Sequence, residues 1–208
     1  MHPNPSLPPN ILSDFSPASA DEVRCAILAS SNATCSLDSI PTRLLKSCLD
    51  SLVIPITTLI NFSLSEATFH PQLKSAIVNP LLKKPALPHD DLASYRPISN
   101  LNFISKILER IIHSRLSDHL QTFPSISSYQ SAYKKYHSTE TALLRIHYDL
   151  LLGINQQKLS ALVLLDLSAA FDTIDHNILL NRLTRTFGVT GKALSLHSSY
   201  ITNRTQGL

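Results

Sequence analysis

Ala161-Leu162-Val163-Leu164-Leu165-Asp166-Leu167-Ser168-Ala169-Ala170-Phe171-Asp172 is the stretch on which the fold turns. Its five leading apolar residues form a run that no other stretch of the chain exceeds. That is far short of the roughly 20 needed to span a bilayer, but it suits a strand buried on both faces. Asp166 then stands at the carboxyl end of that strand. An ionised carboxylate there is costly unless it is paired or metal-bound, and mixed folds place their chemistry at strand ends. The alternative is an aspartate that merely caps the following turn. Asp172 and Asp175 invite a three-carboxylate cluster with Asp166. Capping is the simpler role for Asp175, at the start of a helical pattern over 176–187 that Gly188 stops, and a turn role is the simpler one for Asp172.

Upstream, helical periodicity dominates. Residues 1–18 are rich in Pro and Ser and read as a flexible leader. Ser19 and Glu22 fit a capping box ahead of Val23, Ile27 and Leu28. Pro41 suits a first helical position before Leu44, Leu45 and Leu49. A third helix is predicted over 53–67 with Ile56, Leu59, Ile60 and Leu64 inward, because Pro55 is tolerable only in a first turn. Residues 74–83 alternate as a strand, and a Pro-rich loop over 85–94 follows. Ile104, Ile107, Leu108, Ile111, Ile112 and Leu116 make 102–120 a strongly amphipathic helix. Thr139 is placed to cap another helix through Leu143, Leu144, Ile146, Leu150 and Leu151.

The chain has 208 residues, a formal charge of +3 and 43% apolar residues, enough to bury a core. Charge is unevenly placed: residues 1–73 sum to −3 and residues 74–208 to +6. An acidic first third beside a basic remainder suits contact with a polyanion in the second part. Three cysteines without Cys-x-x-Cys spacing indicate neither a disulfide framework nor a zinc site. The N-terminus lacks the basic start and apolar run of a secretory signal. A reducing compartment is expected, with the chain neither secreted nor membrane-spanning.

Several blocks, in order, resemble the reverse transcriptase of LINE-type (non-LTR) retrotransposons, close to the CR1/L2-like branch. Thr34-Cys35-Ser36-Leu37-Asp38-Ser39-Ile40-Pro41 is similar to the block before the fingers. Phe69-His70-Pro71 and Pro80-Leu81-Leu82-Lys83-Lys84 resemble the first fingers strand, and Tyr95-Arg96-Pro97-Ile98-Ser99-Asn100-Leu101 a specific fingers signature. Gln130-Ser131-Ala132-Tyr133 with His137-Ser138-Thr139-Glu140-Thr141-Ala142-Leu143 resembles the next fingers motif. Residues 165–172 resemble the palm motif that carries the first catalytic aspartate.

The resemblance implies an α+β fold: a helical N-terminal extension over 19–73, fingers over 74–158 and the start of a palm over 159–208. It makes Asp166 the catalytic carboxylate and, with the Leu167 carbonyl, a Mg2+ ligand. Phe171 would block a ribose 2′-hydroxyl. Arg96, with Lys83 or Lys84, would hold the triphosphate, which suits the guanidinium's planar donor fork. Lys134, Lys135 and His137 would follow the template backbone. RNA template, DNA primer and deoxynucleoside triphosphates are the implied partners. The family's later aromatic-Ala-Asp-Asp motif has no match, and Asp90-Asp91 lies in the Pro-rich loop. A chain truncated before that motif is expected to be inactive by itself, because two-metal transfer needs several carboxylates. A non-catalytic nucleic-acid-binding remnant, or a helical protein-interaction scaffold centred on residues 19–68, are the competing readings.

Overall fold

Ser19 opens the first helix, α1 (Ala20–Leu28), by accepting the Glu22 N–H at 3.1 Å. Val23 and Ile27 turn inward, whereas Leu28 is solvent-facing. The computed structural model of the chain describes residues 8–123, 127, 129–167 and 170–207. They divide into two units: residues up to Thr122 with Asp175–Leu208, and Phe123–Ile174.

In the first unit, α2 (Thr42–Ser47) and α3 (Leu49–Ser65) follow α1. Pro41 is the N-cap of α2, one position earlier than its preference for the first turn suggests. Helix α3 begins before residue 53, so Pro55 lies inside it. The missing N–H leaves the Ser51 carbonyl without its helical donor, and both residues lie on the exposed side, where water can supply one. Ile56, Ile60 and Leu64 are buried as expected, but Leu59 is not.

After α4 (Pro71–Lys74), β1 (Ser75–Leu82) pairs antiparallel with β2 (Tyr95–Leu101) and in parallel with β3 (Thr205–Gly207), in the order β2-β1-β3. The register sets Pro80 opposite Pro97. Neither can donate to a ladder. The Lys83 N–H bonds the Ser94 carbonyl at 2.9 Å. Antiparallel pairs alternate between bonded and non-bonded, so three steps from that bond both prolines occupy a non-bonded pair where no donor is needed.

Asn102 caps α5 (Phe103–Leu120) through the Ser105 N–H at 2.8 Å. Asp38 ties the loop before α2 to the start of α5, accepting from the Cys35 N–H at 2.9 Å and the Phe103 N–H at 2.6 Å. Helices α7 (His176–Phe187) and α8 (Gly191–Ile201) complete the unit. Its core joins Val23, Ile27, Ile60, Phe69, Ile107, Leu108, Ile111 and Leu196. Residues 8–18 do not behave as a leader. Phe15 and Ala18 are buried, Asn61 clasps both backbone groups of Ala18, and Leu12 bridges Val189. Gly188 ends α7 at φ +64°, and a Cβ there would collide with the Asn10 carbonyl, so its freedom is required twice over.

The described residues of the second unit contain one helix, α6 (Thr139–Asn155), capped by Ser138 rather than Thr139, with Ser138 and Thr141 capping each other's backbone. None of its residues is buried. Residues 161–167 form no strand and are exposed, from 56% at Leu162 to 92% at Leu165. Five apolar residues satisfy the local requirement for a strand, but the ladder needs a neighbour. The described residues of this unit supply no strand, and β1 is flanked by β2 and β3. The described residues are α+β: the first unit combines a helical core with a small, largely exposed three-stranded sheet. No helix among the described residues is long and apolar enough to cross a membrane.

Candidate functional site

The β1–β2 hairpin presents one face through alternation. Leu81 pairs with Arg96, Asn79 with Ile98 and Ile77 with Asn100, and directly opposed residues share a face. Arg96 is exposed on that face. Lys83, two residues beyond Leu81 on a ladder extended by its own N–H bond, alternates onto the same side, and its Nζ donates to the Ala93 carbonyl at 2.7 Å. Lys84 lies past the ladder in an exposed turn. The loop is shaped by Asp91, which accepts from the Ala93 N–H at 2.9 Å, and by the Tyr95 hydroxyl, which donates to the His89 carbonyl at 3.0 Å. Asp91 is thus a local cap. The ion pairs among the described residues are Arg24–Asp50 and Arg115–Glu22, so neither Arg96, Lys83 nor Lys84 is neutralised by a carboxylate.

The same face continues into a recess of about 330 Å3 lined by Thr34, Ser36, Ile77, Asn79, Asn100 and Lys106, among others. Sequence reading quoted Asn100 only within the fingers signature and passed over Asn79 and Lys106. The period-2 pattern places Asn79 two residues from Ile77, but only the β1–β2 register brings Asn100 alongside.

A second recess, about 350 Å3, lies between α5 and α8, lined by Glu109, Ile112, His113, Leu116, Leu196, His197 and Tyr200. The Tyr200 hydroxyl donates to Glu109 Oε1 at 2.6 Å, and Arg204 sits 4.5 Å from its ring. Burial, then the Glu109 carboxylate, pushes the phenol up to about 12. Burial holds the His197 imidazole below its usual value, so it is neutral near pH 7. The recess is lined by side chains that α5 and α8 pack against each other.

In the second unit, Asp166 is exposed in irregular chain, and its Oδ1 accepts from the N–H of Leu167 at 2.9 Å. Leu167 is itself 78% exposed. Asp175 caps α7, accepting from the Asn177 N–H at 2.8 Å and the Ile178 N–H at 3.0 Å. Among the described residues no three His, Cys, Asp or Glu side chains come together to hold a metal. Asp166 and the Leu167 carbonyl are two oxygen donors, and a magnesium ion held there would take its remaining ligands from further carboxylates, substrate phosphates and water.

Lys134 and Lys135 are exposed, and the His137 ring lies 3.0 Å from the Lys135 carbonyl. Phe171 is 74% exposed and meets Tyr133 edge-on, ring centres 6.4 Å apart. The structure thus gathers Arg96 and Lys83 on one hairpin, and separately joins the lysine-bearing turn to Phe171 through Tyr133.

Residues 82–207 match the family described as reverse transcriptase (RNA-dependent DNA polymerase). The chain belongs to that family. It is similar to the probable RNA-directed DNA polymerase from transposon BS of Drosophila melanogaster, 27% identical over 73% of this chain and 17% of that protein. The probable RNA-directed DNA polymerase from transposon X-element of the same organism is 28% identical over 79% of this chain and 18% of its own length. The RNA-directed DNA polymerase from mobile element jockey is 28% identical over 72% of this chain and 16% of its own. The chain spans less than a fifth of each of these relatives. All are mobile-element polymerases, in agreement with the LINE-type resemblance of the motifs: this is a segment of a retrotransposon reverse transcriptase.

Proposed function

We propose that the chain is the template- and nucleotide-holding part of an RNA-directed DNA polymerase. In this reading residues 74–158 are the fingers, residues 159–208 open the palm, and residues 19–73 are a helical extension that supports them. Arg96 and Lys83, on one face of the hairpin, bind the triphosphate of a deoxynucleotide, with Lys84 a less favourably placed cation. Phe171 excludes a ribose 2′-hydroxyl. Lys134, Lys135 and His137 follow the template backbone. Asp166 is the first catalytic carboxylate and the Leu167 carbonyl its companion. The observation that carries the reading is that the family match over residues 82–207 includes β2, from which Arg96 projects exposed and, among the described residues, without an acidic partner.

Phosphate oxygens and a guanidinium form short, paired, charge-assisted hydrogen bonds, each stronger than a neutral one. Arg96→Ala should therefore weaken deoxynucleoside triphosphate binding about tenfold or more, and Arg96→Lys should lose the paired geometry but recover part of the charge. Calorimetric titration of the chain with a deoxynucleoside triphosphate checks this. Equal affinity in wild type and Arg96→Ala overturns the assignment.

A further inference from the structure

Residues 119–139 contain no carboxylate, and three of the chain's six tyrosines fall with two lysines in the eight residues 129–136. The rings are displayed: Tyr129, Tyr133 and Tyr136 are 73%, 88% and 87% exposed. Tyr133 and Tyr136 also sit in left-handed backbone, at φ +59° and +63°. A bulky aromatic residue is a poor occupant of that region, and here it recurs within four positions. Local bonds hold the turn in shape: the His137 N–H donates to the Lys134 carbonyl at 3.3 Å, and Gln130 Nε2 to the Ala132 carbonyl at 3.3 Å. Cations lie against the rings, Lys135 Nζ 5.0 Å from the Tyr136 centre and Arg145 4.4 Å from that of Tyr129.

Aromatic faces interleaved with uncompensated cations suit a ligand that is both planar and phosphate-linked, an unpaired nucleic-acid strand. An aliphatic protein partner would gain nothing from the lysines, and duplex RNA keeps its base faces stacked inside. We propose that Tyr133 and Tyr136 form a stacking platform for unpaired bases of an RNA strand, while Lys134 and Lys135 hold its phosphates. This rests on the reading of the same turn as template-facing, and adds that the surface takes single-stranded RNA by its base faces.

The test uses the 208-residue chain and a fluorescently labelled single-stranded RNA of about a dozen nucleotides, within the site sizes of such surfaces. Tyr133→Phe/Tyr136→Phe keeps the rings and should bind as wild type. Tyr133→Gly/Tyr136→Gly should bind about tenfold or more weaker per ring lost, with the salt dependence unchanged because no charge is removed. Glycine adopts positive φ freely, so an unaltered circular dichroism spectrum separates lost stacking from lost structure. A duplex RNA of the same length should bind the glycine variant as well as wild type. Undiminished single-strand binding by the glycine variant overturns the platform and leaves the template reading standing. So does a loss shared equally by duplex RNA. A wild-type chain that binds no RNA overturns both.

Discussion

A polypeptide limited to these 208 residues should extend a DNA primer on an RNA template no faster than a protein-free control, and Asp166→Asn should leave that background unchanged. Two-metal transfer holds its ions roughly 3.5–4 Å apart between several carboxylates. Asp166 is instead a solvated side chain whose Oδ1 accepts from its neighbour's N–H, and no metal-ligating cluster forms among the described residues. In a longer polypeptide that supplies further carboxylates, Asp166→Asn should remove about three orders of magnitude of activity or more, as when one member of a concerted catalytic unit is lost. Magnesium-dependent extension by the 208 residues alone, abolished by Asp166→Asn, would contradict this.

Arg115→Ala should cost about 2–3 kcal/mol of stability, below the 3–5 kcal/mol typical of a fully buried pair because Glu22 is partly solvated. The Arg115 side chain is 13% exposed and its guanidinium meets both Glu22 oxygens, at 2.7 and 2.9 Å. It also donates to the carbonyls of Ser16 and Pro17. One side chain thus fastens the N-terminal segment and α1 to α5. The Arg115 hydrogen bond holds the Glu22 carboxyl below its usual value against the opposing effect of burial. A carboxyl lowered on folding stabilises at pH above its unfolded value, and that contribution disappears as pH falls through the folded one. Urea midpoints should therefore fall on acidification below the ordinary glutamate range in wild type, and less steeply in Arg115→Ala. Parallel pH profiles for the two proteins would show the pair to be idle.

The caps were the most legible part of this fold. Ser19 and Asp175 announce α1 and α7 because a short polar side chain before an apolar stripe satisfies orphan N–H groups locally, whereas α6 is capped by Ser138 rather than by the expected Thr139. What depended on distant partners was hidden. Strand β2 contains Pro97, which argues against a strand until Pro80 is found opposite it in a non-bonded pair. Helix α8 has only Ala193 and Leu196 fully buried, too thin a stripe to stand out. Residues 161–165 erred the other way, since an apolar run specifies burial but not the neighbour that would complete a ladder. Residues 1–18 read as a leader from composition, yet Phe15 finds its place in the core through long-range packing. Arg96 and Asn100 were visible within one motif, whereas Asn79 joins Asn100 beside the recess only once the register is known, and Lys106 reaches it from α5 through tertiary packing.

The affinity of the chain for single-stranded RNA, measured between about 50 and 200 mM salt, tests the central claim most directly. If this segment holds a template, log affinity should fall linearly with log salt, by about 0.7 for each phosphate neutralised. Reversing charge at Lys134 and Lys135 should weaken binding and flatten that slope. RNA affinity that is indifferent both to salt and to those lysines would contradict the reading of this segment as the nucleic-acid-holding part of a reverse transcriptase.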